Sequence, residues 1–312
     1  MSKAHPIIAI TGSSGAGTST VRDAFTDIFR REKLNAAFID GDSFQRYERN
    51  ERLKAIEKAN QNGRPISHFG PDLNRFDLLE ACFKEYSETG QAEVREYIRE
   101  ERAAECNCEP GTFTKTRALP ENSDLLIYEG LHGGVVANNW TRRRMSASHN
   151  PVVVERRKQT NKKGVDVAQH VDLLIGVVPV VNLEWIQKIH RDMQTKGIPA
   201  EETTTTILRR LQDYIHFMTP QFSVSDINIQ RVPLVDTSNP FISRDVPSPS
   251  ESMLVCRFRD PARYNFPSML EKFEGAFMSR PNTLVIPGGK LRMAMEVICA
   301  PRIIELINAT RS

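Results

Sequence analysis

The sequence lacks the features of a membrane or secreted protein. No apolar run reaches the roughly 20 residues that span a bilayer, and no cleavable signal precedes the first apolar run, which begins at Pro6. The five cysteines are odd in number and have no spacing typical of a disulfide framework, and Cys106 and Cys108 lack the further ligands of a zinc site. We therefore expect a cytoplasmic protein in a reducing compartment, with no membrane partner.

The chain also carries little excess charge, because its formal net charge is only +3 over 312 residues. One segment departs from this balance: residues 141–163 hold eight basic residues and one acid. A block of like charge is typical of a solvated loop. Neither interleaved aromatics nor a nucleic-acid recognition fold accompanies it, so we expect no nucleic-acid partner.

What the sequence does contain is a glycine-rich loop close to its start. Its residues are Gly12, Ser13, Ser14, Gly15, Ala16, Gly17, Thr18, Ser19 and Thr20. A short apolar run precedes the loop at residues 6–10, and an apolar stripe at helical spacing follows it from Val21 to Phe29. In the order strand, loop, helix, backbone N–H groups and the positive helix end form an anion site. The pattern predicts phosphate binding rather than a merely flexible turn, although Thr18 stands where the generic motif has lysine.

Short apolar runs alternate with amphipathic helical patterns along the chain. The runs lie at residues 36–40, 125–128, 171–178, 232–235, 253–258 and 284–286. The helical patterns cover residues 75–87, 182–196, 201–218 and 288–308, and Gly197 is placed to end the second of them. This alternation predicts an α/β layered fold, in which helices flank a mainly parallel or mixed central sheet. We interpret residues 1–312 as a single domain.

Acidic residues follow two of these runs, at the edge of the sheet where α/β proteins bind ligands. Asp42 comes after the run at 36–40, and Glu129 comes after the run at 125–128. A third acid, Asp192, lies on the helix at 182–196 and shares a face with Lys188 and Arg191. Phosphoryl transfer needs a metal ligand, an acceptor base and cations, which these residues could supply.

Each acid also has a purely structural interpretation. Asp42 could form a turn or cap a helix, Glu129 could pair with a lysine, and Asp192 could be an ion-pair partner of Lys188. On the functional interpretation, the helix at 182–196 supplies the positive charge that the glycine loop lacks. The pair Arg209 and Arg210 is a second cationic candidate.

These motifs identify a family: the chain resembles bacterial (class I) phosphoribulokinase, a P-loop kinase. The resemblance covers nearly the whole length and rests on residues 12–20, 41–44, 128–133, 181–192 and 235–241. The family also has threonine in place of the loop lysine. The resemblance implies ATP-dependent phosphorylation of D-ribulose 5-phosphate at O1, which gives ribulose 1,5-bisphosphate for the Calvin cycle.

The resemblance also implies roles for individual residues. Asp42 is the expected catalytic base, with Lys188 and Arg191 stabilising charge on the transferring group. The expected Mg²⁺ ligands are Ser19, Glu129 and Asp192. The residues expected to bind the sugar phosphate are Arg49, Tyr97, Arg99, Lys196, Arg209 and Arg210. Arg31, Arg257 and Arg280 match positions linked to activation by NADH and inhibition by AMP, and bacterial members are usually octamers.

The chain departs from the family pattern at three positions of the sugar-phosphate region. Gln45 and Arg99 stand where relatives have histidine, and Lys196 stands where they have arginine. Unlike histidine, glutamine cannot take up a proton and arginine stays charged near neutral pH. Residues 141–163 are an insertion relative to the bacterial pattern, and the glycine loop has no cysteine for a thioredoxin switch. A uridine-kinase-type enzyme, a kinase with a shifted sugar-phosphate substrate and a catalytically silent nucleotide sensor are the alternatives.

Overall fold

The computed structural model describes residues 4–13, 18–63, 65–136, 164–241 and 245–311. The predictions made for the basic segment at 141–163, and for Ser14, Gly15, Ala16 and Gly17 of the glycine loop, therefore fall outside the described residues. The backbone of Thr18 and Ser19 is described, whereas their side chains are not. Among the described residues, no helix is long and apolar enough to cross a membrane.

The elements alternate along the chain as the sequence predicts. The α-helices are α1 (Thr18–Glu32), α2 (Arg49–Gln61), α3 (Phe76–Thr89), α4 (Glu100–Cys106), α5 (Val181–Lys196), α6 (Ala200–Asp213), α7 (Thr219–Phe222), α8 (Phe266–Lys272), α9 (Leu291–Ala294) and α10 (Ala300–Arg311). The strands are β1 (Ile7–Gly12), β2 (Ala36–Asp40), β3 (Glu93–Val94), β4 (Arg117–Ala118), β5 (Leu125–Gly130), β6 (Leu173–Pro179), β7 (Ile227–Pro233), β8 (Ser252–Phe258), β9 (Phe277–Arg280) and β10 (Thr283–Pro287). π-Helical turns cover Tyr214–Met218 and Met295–Cys299.

The chain divides into two compact units, each made of several segments. The first comprises Met1–Ala9, Asn35–Asp172 and Arg210–Val224, and the second comprises Ile10–Leu34, Leu173–Arg209 and Ser225–Ser312. The boundary falls within β1, so this strand contributes residues to both. The interpretation of residues 1–312 as a single domain stays a prediction.

The first unit is built on the strand order β2-β5-β1. β2 runs parallel to β5, with Asp40 opposite Glu129 at the carboxyl ends of the two strands. Helix α3 buries the apolar face that the sequence predicts, formed by Phe76, Leu79, Cys82, Phe83 and Tyr86. The ring of Phe83 meets that of Tyr128 of β5 edge to face, at 5.4 Å between centroids. This packing fixes the strand ends on which the acidic residues lie.

The second unit is built on the strand order β1-β6-β7-β8-β10-β9. β6 and β7 are parallel, whereas β7, β8, β10 and β9 pair in an antiparallel manner. The predicted stripe of α1 is buried throughout: Val21, Ala24, Phe25, Ile28 and Phe29. Helix α5 ends at Gly197 in the left-handed conformation, at φ +66°, as expected. The predicted fold class, a mainly parallel or mixed sheet flanked by helices, is confirmed.

Three details differ from the sequence predictions. The apolar run at 232–235 coincides with the strand only at its first two residues, because β7 covers Ile227–Pro233, with Ile227 and Ile229 buried, while Leu234 and Val235 are exposed. The helical pattern at 201–218 is interrupted by the π-helical turn at Tyr214–Met218. Cys106 and Cys108 form a disulfide, because Asn107 ends α4 with a positive φ and turns the chain back.

Candidate active site

Asp42 lies just beyond the carboxyl end of β2. The chain leaves β2 through a 3₁₀ turn at Gly41–Phe44, and the Asp40 carboxylate caps this turn by accepting a hydrogen bond from the Asp42 amide at 2.8 Å. Gly41 is required here, because a Cβ atom would lie 2.6 Å from the Tyr128 hydroxyl and 2.9 Å from the Gly130 Cα. The close approach of β2 and β5 therefore sets the position of Asp42.

Both oxygens of the Asp42 carboxylate accept hydrogen bonds from side chains. The Arg99 guanidinium donates to Oδ2 through Nε at 3.0 Å and Nη2 at 2.6 Å, and Gln45 Nε2 donates to Oδ1 at 2.8 Å. Arg99 Nη2 also lies 2.9 Å from Asp40. One guanidinium thus bridges two carboxylates that are two residues apart. Gln45 and Arg99, two of the positions at which the chain departs from the family pattern, both contact the predicted base.

Three of the six side chains predicted to bind the sugar phosphate lie near this cluster. Arg99 precedes α4, whose first residue, Glu100, accepts a hydrogen bond from Arg49 at 2.6 Å. Arg52 donates to Gln45 Oε1 at 2.5 Å and lies over the Tyr97 ring at 5.9 Å from its centroid. The structure therefore brings Arg49, Tyr97 and Arg99 into the neighbourhood of Asp42.

Arg95 is a functional candidate that the sequence analysis missed. Its guanidinium donates to the carbonyl oxygens of Ser43 and Gln45, on the turn that carries Asp42. It also stacks on the Phe113 ring, at 3.5 Å from the centroid. An open cleft of about 670 Å³ adjoins it, and the cleft is lined by Arg46, Glu48, Glu51, Arg95, Phe113, Thr114, Lys115 and Thr116. No sequence signal marks Arg95, because its partners are backbone carbonyls about 50 residues away.

Burial and like charge shape the electrostatics of the strand ends. Burial and the neighbouring Asp42 carboxylate raise the pKa of Asp40 from 3.8 to about 6. Burial alone would lower the pKa of Arg99, but the charges of Asp40 and Asp42 raise it overall. Arg99 is therefore a permanent cation between two carboxylates, and it limits their mutual repulsion.

Glu129, the predicted metal ligand of β5, lies half-buried opposite Asp40. Among the described residues, no group of three or more histidine, cysteine or acidic side chains is arranged to hold a metal ion. Carboxylate and hydroxyl oxygens are nevertheless the donors that Mg²⁺ prefers, and the predicted ligands are of this type. Their assignment stays a prediction.

His132 follows β5 and is fully enclosed in the first unit. Its backbone N–H donates to the Tyr128 hydroxyl at 3.3 Å, its Nε2 lies 3.1 Å from the Phe69 carbonyl oxygen, and its ring packs on Phe76. Burial lowers the pKa of His132 from 6.5 to about 4. The native state therefore holds a neutral imidazole that the unfolded chain would protonate below pH 6.5.

This burial predicts an acid-dependent loss of stability. As the pH falls from 6.5 to about 4, His132 is protonated in the unfolded state but stays neutral in the native state. The free energy of unfolding therefore falls by up to about 3 kcal/mol. Urea unfolding across this range checks the slope. His132→Gln should flatten it, whereas His5→Gln, which removes a half-buried imidazole of the same unit, should not. Equal slopes for wild type and His132→Gln would contradict the assignment.

In the second unit, the predicted cationic helix converges on Asp192. Asp192 is buried, with only 6% of its side chain exposed, and it lies 2.5 Å from Lys188, 3.5 Å from Lys196 and 3.8 Å from Arg191. Burial alone would raise the pKa of Asp192, but the hydrogen bond and charge of Lys188, with the other two cations, lower it overall. The ion pair with Lys188 considered from the sequence is thus present, on a face with excess positive charge.

The glycine loop leaves β1 in the same unit. β1 ends at Gly12, and the next residue, Ser13, is buried with a hydroxyl that makes no hydrogen bond to the described part of the chain. Helix α1 begins at Thr18, and Thr20 is exposed in its first turn. The predicted order of strand, loop and helix is therefore present.

The remaining arginines, predicted to bind the sugar phosphate or a regulatory ligand, are distributed over both units. Arg209 of α6 is in the second unit and contacts Thr206, whereas Arg210 is in the first. Arg31 pairs with Glu32 and with Glu296. Arg257 of β8 and Arg280 of β9 are both in register with Thr283 of β10, so the two exposed arginines belong to one row across the sheet.

Comparison with known proteins adds a consistent set of similarities. Residues 7–238 match the model of the Phosphoribulokinase / Uridine kinase family. The chain is 48% identical over 310 residues to a phosphoribulokinase of Nitrobacter vulgaris, with 99% of this chain and 98% of the relative covered. It is equally similar, over the same length and coverage, to the chromosomal phosphoribulokinase of Cupriavidus necator. The structure of phosphoribulokinase from Rhodobacter spheroides superposes with a TM-score of 0.84 at 44% identity and covers both chains entirely.

Proposed function

Because the chain belongs to the Phosphoribulokinase / Uridine kinase family, we propose that it is an ATP-dependent phosphoribulokinase. It transfers the γ-phosphoryl group of ATP to O1 of D-ribulose 5-phosphate, and the product is ribulose 1,5-bisphosphate for carbon fixation in the Calvin cycle. The observation that carries the proposal is the 48% identity along nearly the whole of both chains to a phosphoribulokinase. The position of Asp42 just beyond a strand end, in contact with the Arg99 guanidinium, supports it.

The reaction proceeds by in-line displacement. O1 of the sugar attacks the γ-phosphorus, the bond from that phosphorus to the β,γ-bridging oxygen breaks, and ADP leaves. The hydroxyl proton passes to the Asp42 carboxylate, which acts as general base. Arg49 and Tyr97 hold the sugar phosphate, together with Arg99, Lys196, Arg209 and Arg210.

Residues of the second unit serve the nucleotide. The glycine loop, from Gly12 to Thr20, binds the ATP phosphates through its backbone N–H groups. Lys188 and Arg191, the cations on the helix face that carries Asp192, offset the charge of the transferring group. Ser19 and Asp192 of this unit, and Glu129 of the first unit, would hold Mg²⁺ through hard oxygen ligands. The ion would supply positive charge that offsets the charge of the ATP phosphates.

Regulation and assembly are further parts of the proposal. The row formed by Arg257 and Arg280, together with Arg31, offers cations to an anionic effector, for which we propose NADH as activator and AMP as inhibitor. A homo-oligomer, an octamer by family resemblance, and a cytoplasmic location complete the proposed account.

An ADP-release assay with three acceptors tests the proposed activity. We expect turnover with D-ribulose 5-phosphate to exceed turnover with D-ribose 5-phosphate and with uridine by a wide margin. Turnover of uridine alone would overturn the proposal in favour of a uridine-kinase-type enzyme. A preference for another sugar phosphate would favour the second candidate, a shifted substrate, for which the observation is the replacement of two family histidines by Gln45 and Arg99 beside Asp42.

A further inference from the structure

The hydrogen bonds from Arg99 to Asp42 obstruct the proposed role of Asp42 as general base. Arg99 donates two hydrogen bonds to Asp42 Oδ2, and Gln45, itself held by Arg52, donates one to Oδ1. These three hydrogen bonds fill both acceptor positions of Oδ2 and one of the two positions of Oδ1. A sugar hydroxyl can deliver its proton to Oδ2 of Asp42 only after Arg99 withdraws.

Arg99 is the donor that is free to withdraw. About half of its side chain is exposed, whereas Asp42 is only one-third exposed. Gln45 is less able to move away from Asp42. Arg52 donates to its side-chain Oε1, and its backbone N–H donates to the Asp42 carbonyl oxygen at the end of the turn. In addition, Asp40 keeps a second contact with Arg99 Nη2, so partial withdrawal from Asp42 does not leave the guanidinium unpaired.

A phosphate group is the partner that draws a guanidinium from a carboxylate most effectively. Its oxygens match the fork of N–H donors, and a dianion offers more charge than one carboxylate. Arg99 lies near Arg49 and Tyr97, two of the other side chains proposed to hold the sugar phosphate. Arg49 donates to the adjacent Glu100, and Tyr97 precedes Arg99 by two residues. A histidine at this position, as in relatives, would lack the fork that spans two acceptors.

We propose that Arg99 determines specificity by capping Asp42 in the free protein and transferring to the phosphate of the bound sugar phosphate, so that this phosphate is what releases the base. This inference rests on the proposed function. It predicts that an acceptor without a phosphate is a poor substrate for two reasons: it binds more weakly, and it leaves Asp42 capped.

The test measures the effect of the phosphate group on turnover separately from the effect of the sugar. Wild type, Arg99→Gln and Arg99→Lys are assayed for ADP release with D-ribulose 5-phosphate, with D-ribulose, and with D-ribulose plus inorganic phosphite. For Arg99→Gln we expect kcat/KM for D-ribulose 5-phosphate to fall roughly 10- to 100-fold, the effect of losing a charge-assisted hydrogen bond. Turnover of D-ribulose should stay level or rise, because the base is uncapped. Phosphite should accelerate D-ribulose turnover in wild type but not in Arg99→Gln.

Arg99→Lys keeps the charge without the fork and should give intermediate discrimination between the two acceptors. Arg102→Gln is the matched control, since Arg102 lies in the first turn of α4, just after Arg99, and pairs only with Glu96 and Glu105 in the described contacts. A general loss of structure would lower turnover of both acceptors together, and that result would overturn the inference, as would unchanged discrimination in Arg99→Gln or a wild type insensitive to phosphite. Absence of D-ribulose 5-phosphate turnover in wild type would instead overturn the proposed function itself.

Discussion

Replacement of Asp42 by asparagine is expected to lower kcat for D-ribulose 5-phosphate by about 10²- to 10⁴-fold, the usual contribution of a general base. Asparagine is nearly isosteric and keeps one oxygen that can accept hydrogen bonds from Arg99 or from Gln45, but it cannot take up the hydroxyl proton. The KM for ATP should change little, because the base acts on the sugar hydroxyl in the transition state. Steady-state kinetics with both substrates, combined with calorimetric titration of ATP, checks the separation.

Asp77→Asn is the matched control for this change. Asp77 is an exposed carboxylate of the same unit, paired with Arg75 at 2.7 Å, and its loss should leave turnover unaltered. A near-normal kcat in Asp42→Asn would show that another group accepts the proton.

Asp192→Asn is expected to produce the second large effect, a fall in kcat of about 10²- to 10³-fold, the loss typical of one charge-stabilising group. The change removes the buried carboxylate that holds Lys188 and, in the proposed mechanism, a ligand of Mg²⁺. Two consequences are separable. Loss of the ion pair lowers thermal stability, whereas loss of a metal ligand raises the Mg²⁺ concentration needed for half-maximal activity.

Measurement of activity against Mg²⁺ concentration therefore distinguishes the two roles of Asp192. Asp260→Asn, which breaks an exposed ion pair with Arg263 in the same unit, should change neither quantity appreciably. If Asp192→Asn lowers thermal stability but leaves the Mg²⁺ requirement and kcat intact, Asp192 is only the structural partner of Lys188.

The fold could be predicted wherever the sequence carries a strong apolar period. The stripe of α1 and the face of α3 are buried as predicted, and β2 matches its apolar run residue for residue. Helix α2 was missed because it buries no side chain, so no apolar period marks it. β9 is also largely exposed. Elements whose stability comes from neighbours rather than from their own apolar face leave little trace in the sequence.

The candidate site was only partly accessible from the sequence. Asp42 could be named because it follows a recognisable strand, and Asp192 because it shares a helix face with Lys188 and Arg191. The contacts of Arg99 and Arg95 could not, because each reaches about 50 residues back along the chain to the turn after β2. The sequence predicts Asp40 only as the last residue of a strand, because nothing in it marks the hydrogen bond by which the Asp40 carboxylate caps the following turn.

The position of the transferred phosphoryl group tests the central claim most directly. We propose to incubate the protein with ATP, Mg²⁺ and D-ribulose 5-phosphate and to record proton-coupled ³¹P spectra of the product. The account predicts a second phosphomonoester signal coupled to the two protons of C1, which appears in step with ADP. A new phosphomonoester coupled to a single proton, or consumption of ATP with no second phosphomonoester on the sugar, would contradict it.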